Sequence, residues 1–266
     1  MLFRSDILPH LINLIIESLA AESDERRAVG SRCLGEIVTK LGEAVLPDII
    51  PHLQEGLASA DTNMRHGVCL GLAEITACVT KEQVEDFSDI LTSAILQALC
   101  DSNAFIRDQA ASSFQSLFHV IGTKAVDSVV PSLLVKLNTN KKEALKTGGL
   151  IEMDTWSPSN DALFAFKQLL GVRPREILNF LLPKLLQKNI SASDAQTLGF
   201  VARVSGNIMM YHMNRLLPFL IKELISSDPK FVILSGIAVD EEVQIGRARL
   251  NSSHANISYA VFCLKK

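Results

Sequence analysis

One short pattern recurs along this chain at a near-constant interval. Arg27 is followed by Leu34 and Ile37, Arg65 by Leu72 and Ile75, and Arg107 by Phe114 and Leu117, so each arginine precedes apolar residues at +7 and +10. Arg27 and Arg65 lie 38 residues apart, and Arg65 and Arg107 lie 42 apart. A second mark keeps the same step: Leu19, Leu57, Leu99 and Leu137 follow one another at intervals of 38, 42 and 38. A period of roughly 40 residues suits a unit of two helices. Such a pair cannot bury its apolar face alone and must stack on its neighbours.

Each unit reads as a helix A followed by a helix B. Helix A is leucine-rich with a proline near its start, as in 7–20 and 45–59. A proline in a first turn sacrifices no helical hydrogen bond. Pro51 lies further in, so a bend is expected there. Helix B is expected to open after the polar residues Asp24, Asp61 and Ser102, whose side chains can accept bonds from first-turn amides. Gly30, Gly71, Ala110 and Ala111 leave room for close helix approach. These features predict an all-α fold, a HEAT/armadillo-like α-solenoid of stacked antiparallel helix pairs. The array should occupy residues 1–244, with pairs at 6–41, 45–79, 83–121, 126–170, 173–206 and 208–244. The fourth pair is irregular. Its helix A, 126–137, is followed by a segment with Lys141, Lys142, Gly148, Gly149, Trp156 and Pro158, which reads as a loop over 138–160 before helix B resumes at Asp161.

The recurring Arg27, Arg65 and Arg107 could mark a binding surface, but a structural ladder between successive units accounts for them better. An arginine fork can bridge an acid and a carbonyl while its stem packs. No motif for catalysis stands out. Gly67 and Gly71 lie within a helix B pattern and lack the Lys-Ser/Thr of a phosphate loop. The six histidines include no i, i+4 pair, so no helical zinc site is indicated, and no cofactor is expected. Cys33, Cys69, Cys78, Cys100 and Cys263 include no Cys-x-x-Cys pair and read as reduced thiols of a cytoplasmic protein. The net charge of −3 gives no general pull toward nucleic acid, and no specific DNA binding is expected. Lys141, Lys142 and Lys146 read as a solvated cluster before they read as RNA contacts. No signal-peptide pattern opens the chain, and its apolar runs are too short to span a bilayer.

Particular words narrow the reading further. The block Arg65-His66-Gly67-Val68-Cys69-Leu70-Gly71-Leu72 with Glu74-Ile75, the run Ala98-Leu99-Cys100-Asp101, and Lys40-Leu41-Gly42-Glu43 with Leu46-Pro47 and Ile49-Ile50-Pro51 resemble one family. It is the large HEAT-repeat translational activator of general amino-acid control. The resemblance runs from about Ile7 to Val243, weakening along the way, with Lys167-Gln168 and Leu182-Pro183-Lys184-Leu185 extending it. It implies a fragment of the family's C-terminal third, with Met1 internal. It also implies a non-catalytic scaffold whose partners are the ribosome and the initiation-factor-two alpha kinase during amino-acid starvation. An ATP-binding-cassette partner protein would bind through other regions. Phe164-Ala165-Phe166 departs from the family's Asp-Gly-Leu, and the segment 141–158 exceeds its length. No partner-contact residue carries over. The alternative is a HEAT adaptor of another pathway, a nuclear transport receptor or a phosphatase scaffold.

Residues 245–266 fit neither the repeat nor the resemblance. Ile245 to His254 can be written as ATC GGA AGA GCA CGT CTG AAC TCC AGT CAC, a string like a sequencing-library adapter. The expectation is a non-native tail, to be left out of fold reasoning.

Overall fold

The computed structural model describes residues 4–146, 160–186, 197–198, 201–202, 204–212, 214–216 and 218. The chain divides into two compact units, Met1–Arg173 and Pro174–Lys266. Among the described residues the regular elements are all helical. Most of the sixth expected pair and all of the 245–266 tail lie outside them.

The first unit holds eight α-helices: α1 (Arg4–Leu19), α2 (Asp24–Leu41), α3 (Leu46–Leu57), α4 (Thr62–Cys78), α5 (Lys81–Leu99), α6 (Ala104–Ile121), α7 (Thr123–Lys146) and α8 (Asp161–Val172). The links inside the first three pairs, 20–23, 58–61 and 100–103, are each four residues long, which suits antiparallel neighbours. Even-numbered helices pack on one another in sequence, α2 on α4, α4 on α6 and α6 on α8. Odd-numbered helices do likewise, α1 on α3, α3 on α5 and α5 on α7. The fold is therefore a two-layered α-solenoid of the HEAT/armadillo class, with layer A and layer B closing on a shared aliphatic core.

Register explains why the core is continuous. The +7 residues Leu34, Leu72 and Phe114 are fully buried, as are Ile75 and Leu117 at +10. Ile37, at +10 in the first pair, is only half-buried, because no helix B precedes α2. The +3 positions carry Gly30, Val68 and Ala110, all buried. Helix B thus turns one stripe to layer A and another to its predecessor. α2 and α6 both end on a glycine with positive φ, Gly42 (66°) and Gly122 (63°). Each returns its amide to the last turn, to Val38 O and Phe118 O, in a conformation that side chains disfavour.

Two local expectations need correction. The caps of α2 and α6 are Ser23 and Asn103, not Asp24 and Ser102; Asp61 caps α4 as expected. Adjacent polar residues compete for the cap, and only the one with extended backbone aims its oxygen at the free amides. Helix α7 also continues to Lys146, through residues assigned to the loop. The stretch Lys141-Lys142-Glu143-Ala144-Leu145-Lys146 consists of good helix formers, and the first glycine comes at 148. Residues 147–159 lie outside the described set.

The second unit contributes α9 (Pro174–Leu185), which buries Ile177, Leu178, Leu181 and Leu182, and a 3-10 turn, Gly206–His212.

Thiol exposure gives a direct check on the stacking. Cys69 in α4 and Cys100 after α5 are buried, whereas Cys33 on α2 is exposed. Burial pushes the Cys69 thiol far above its ordinary value and that of Cys100 up to about 11. The thiolate is the nucleophile. A maleimide at pH 8 should therefore label Cys33 first. Cys69 should react on the order of a hundredfold more slowly, through opening of the α2–α4 interface. Equal rates, read by peptide mass spectrometry, would mean that this interface is not closed.

Candidate functional site

The three recurring arginines occupy one structural position. Each lies four residues after the cap of its helix B: Ser23 and Arg27, Asp61 and Arg65, Asn103 and Arg107. From there each Nη1 reaches back to two carbonyls of the preceding turn. Arg27 Nη1 donates to Ala21 O (2.5 Å) and Glu22 O (2.9 Å). Arg65 donates to Ser59 O and Ala60 O (both 3.0 Å), and Arg107 to Asp101 O (2.7 Å) and Ser102 O (2.8 Å). In sequence these acceptors are always i−6 and i−5. The guanidinium so satisfies carbonyls left over where helix A ends.

The same side chains also reach forward. Arg27 Nη1 donates to Asn63 Oδ1 of the second pair (3.3 Å). Arg65 grips Asp101 between the third pair's helices, with Nε on Oδ2 (2.7 Å) and Nη2 on Oδ1 (3.4 Å). Both partners stand 36 residues downstream. Asp24 adds a partner to Arg27 within its own helix. Arg27 and Arg107 are about one-twentieth exposed, and the Arg65 and Asp101 side chains are 14% and 10% exposed. Burial lowers the Arg107 pKa, with Asp101 opposing it.

Asp101 has a second task. Its Oδ1 accepts the Asn103 amide (2.8 Å) and so orders the entry to α6. The sequence reading missed Asn63 and Asp101 as partners. The signal was present in the shared 36-residue interval, one unit less a few residues, which sets an oxygen beside each arginine.

His66, next to Arg65, is half-buried. Burial lowers its pKa, and the Arg27 charge lowers it further against a smaller opposing effect of Asp24. A depressed histidine is neutral in the fold, while the unfolded chain still takes up a proton near pH 6.5. Its contribution to stability is therefore complete above that value and falls as pH drops from there to the folded pKa. An NMR titration should place His66 below an unperturbed histidine. A midpoint at or above 6.5 would contradict the burial.

Other features offer no chemistry. Among the described residues no group of three histidine, cysteine or acidic side chains could hold a metal. No described helix is long and apolar enough to cross a membrane. An apolar groove of about 590 Å³ lies between α1 and α2, with Leu11, Ile15, Val29 and Ile37 inside and Arg32, Glu36 and Lys40 at its rim.

Known proteins share this pattern. Mouse "Stalled ribosome sensor GCN1" is 35% identical over 213 residues, 80% of this chain and 7% of that protein. The Dictyostelium discoideum "eIF-2-alpha kinase activator GCN1" is 34% identical over 218 residues, 82% of this chain and 8% of that protein. A family model described as "Stalled ribosome sensor GCN1-like, HEAT repeats" matches residues 177–231. The chain is a GCN1-like stretch of HEAT repeats. It spans less than a tenth of the length of these relatives. Human Transportin-1 is also similar, at 26% identity over 140 residues, 52% of this chain and 15% of that protein. The GCN1-like match therefore covers more of the chain at higher identity.

Proposed function

We propose that this chain is a non-catalytic scaffold segment of a cytoplasmic, ribosome-associated activator of the kinase that phosphorylates initiation factor two during amino-acid starvation. The observation that carries the reading is the match to GCN1 proteins over four-fifths of the chain, in two organisms and at one-third identity. Those relatives are named as a stalled-ribosome sensor and as an eIF-2-alpha kinase activator. The proposed mechanism is geometric. Stacked pairs hold surfaces for the ribosome and the kinase at fixed separation, and affinity comes from many modest contacts. An ATP-binding-cassette partner would use other regions. Arg27, Arg65 and Arg107 are the structural ladder of this scaffold, because their donors are spent on turn carbonyls and on the next unit rather than held open to a ligand.

The Transportin-1 similarity favours a second reading, a HEAT adaptor of nuclear transport. One experiment separates the two. The chain is sedimented with purified ribosomes through sucrose and, in parallel, passed over an immobilised transport GTPase in its GTP form. Co-sedimentation without GTPase retention is the expected outcome. Retention on the GTPase with no ribosome association would replace the first reading by the second.

A further inference from the structure

The ladder changes character at the fourth pair. Counting four residues from the cap Asn160 arrives at Phe164, where the earlier pairs have arginine. Phe164 cannot donate to the carbonyls of its own turn. Nor can it serve Arg107 as Asn63 serves Arg27 and Asp101 serves Arg65. The Arg107 guanidinium instead lies over the Phe164 ring, 5.1 Å from its centroid. Arg107 Nε is buried without a hydrogen-bond partner. Lys167 approaches the same ring at 5.9 Å. At the far end of α8 the arrangement is reversed, with Arg173 over the Phe118 ring of α6 at 4.7 Å. Both ends of the α6–α8 contact therefore carry a cation lying on an aromatic face.

We propose that the junction between the third and fourth helix pairs is the sliding joint of this array, with Phe164 in place of a rung that would fix its register. A guanidinium bonded to an oxygen is held in direction and distance. A cation over a ring is attracted to a broad face and tolerates lateral shift. The rest of the α8 interface is aliphatic and aromatic, with Leu163, Phe166 and Leu169 buried, and such packing permits the small shear motions seen between helices. The fourth pair moves as one piece, because Lys136 of α7 is bonded to Asp161 at the start of α8 (2.7 Å). This joint lets the scaffold adjust its curvature to a partner, and it does not depend on which partner that is.

Spin-label distance measurements on the whole chain test this. Cys33, Cys78 and Cys263 are changed to serine, and label pairs are placed at Ala77 and Gln115 (α4–α6) and at Gln115 and Gly171 (α6–α8). The α6–α8 distribution should be about twice as broad as the α4–α6 one. Phe164→Asp, which offers Arg107 an acid, should narrow it to the control width. Equal widths in the parent chain overturn the proposal, as does a distribution left broad in a Phe164→Asp chain with unchanged helical circular dichroism. Should that variant not fold, Phe164→Leu keeps the apolar volume and removes the ring. It should broaden the α6–α8 distribution alone, and an unaltered width would equally overturn the joint.

Discussion

Arg65→Ala will lower the unfolding free energy by about 3 kcal/mol, at the low end of the range for breaking a buried ion pair because a tenth of the pair remains wet. The loss has two parts. Ser59 O and Ala60 O lose their donor at the end of helix A, and Asp101 keeps a charge with its main partner gone. The second part can be isolated. Arg65→Ala with Asp101→Asn should recover about 1 kcal/mol relative to Arg65→Ala alone, since no charge is then stranded. Urea unfolding followed by circular dichroism measures both. A single-variant cost below about 1 kcal/mol would rank the pair with exposed surface bridges and remove its claim to hold the units together.

Gly67→Ala should be nearly as damaging, for a steric reason. A Cβ built at Gly67 falls 1.9 Å from Leu19 O, backbone at the end of α1. No rotamer change can relieve a clash with backbone, so α4 must withdraw from the first pair. Overpacking of this kind costs about 3 kcal/mol. The effect should also be local, with amides of α1 and α2 exchanging faster while those of α6 hardly change, because contacts run between neighbours. Gly30→Ala is the contrast. Its nearest contacts are Ser18 side-chain atoms at 3.1 Å, which can give way. A tolerated Gly67→Ala would mean that the α1–α4 crossing is looser than its geometry.

These two sites also mark how far the sequence could be read. The period and the arginine positions were legible because every unit meets the same demand, a donor for two turn carbonyls and a buried stripe at +3 and +7. A demand repeated at a fixed interval leaves a countable trace. The caps at Ser23 and Asn103 were missed by one position, since Asp24 and Ser102 are equally able to accept a bond and only backbone direction decides between them. Gly67 was weighed as packing without any measure of its closeness, because the Leu19 carbonyl it meets lies 48 residues away in the chain. The continuation of α7 to Lys146 was hidden by its lysines, which are hydrophilic enough to suggest a loop and helical enough to form none. Phe164 was noticed as a departure in composition. Its relation to Arg107 needed the register of α8 against α6.

The double engagement of Asp101 bears on how this array can drift over evolutionary time. Surface connections ordinarily accept extra residues at little cost. The turn 100–103 cannot, because a single inserted residue would carry the carboxylate away from either Arg65 or the Asn103 amide. Length variation among related chains should therefore be absent from this turn and gather in the segment joining α7 to α8, where no such two-way commitment has to be met.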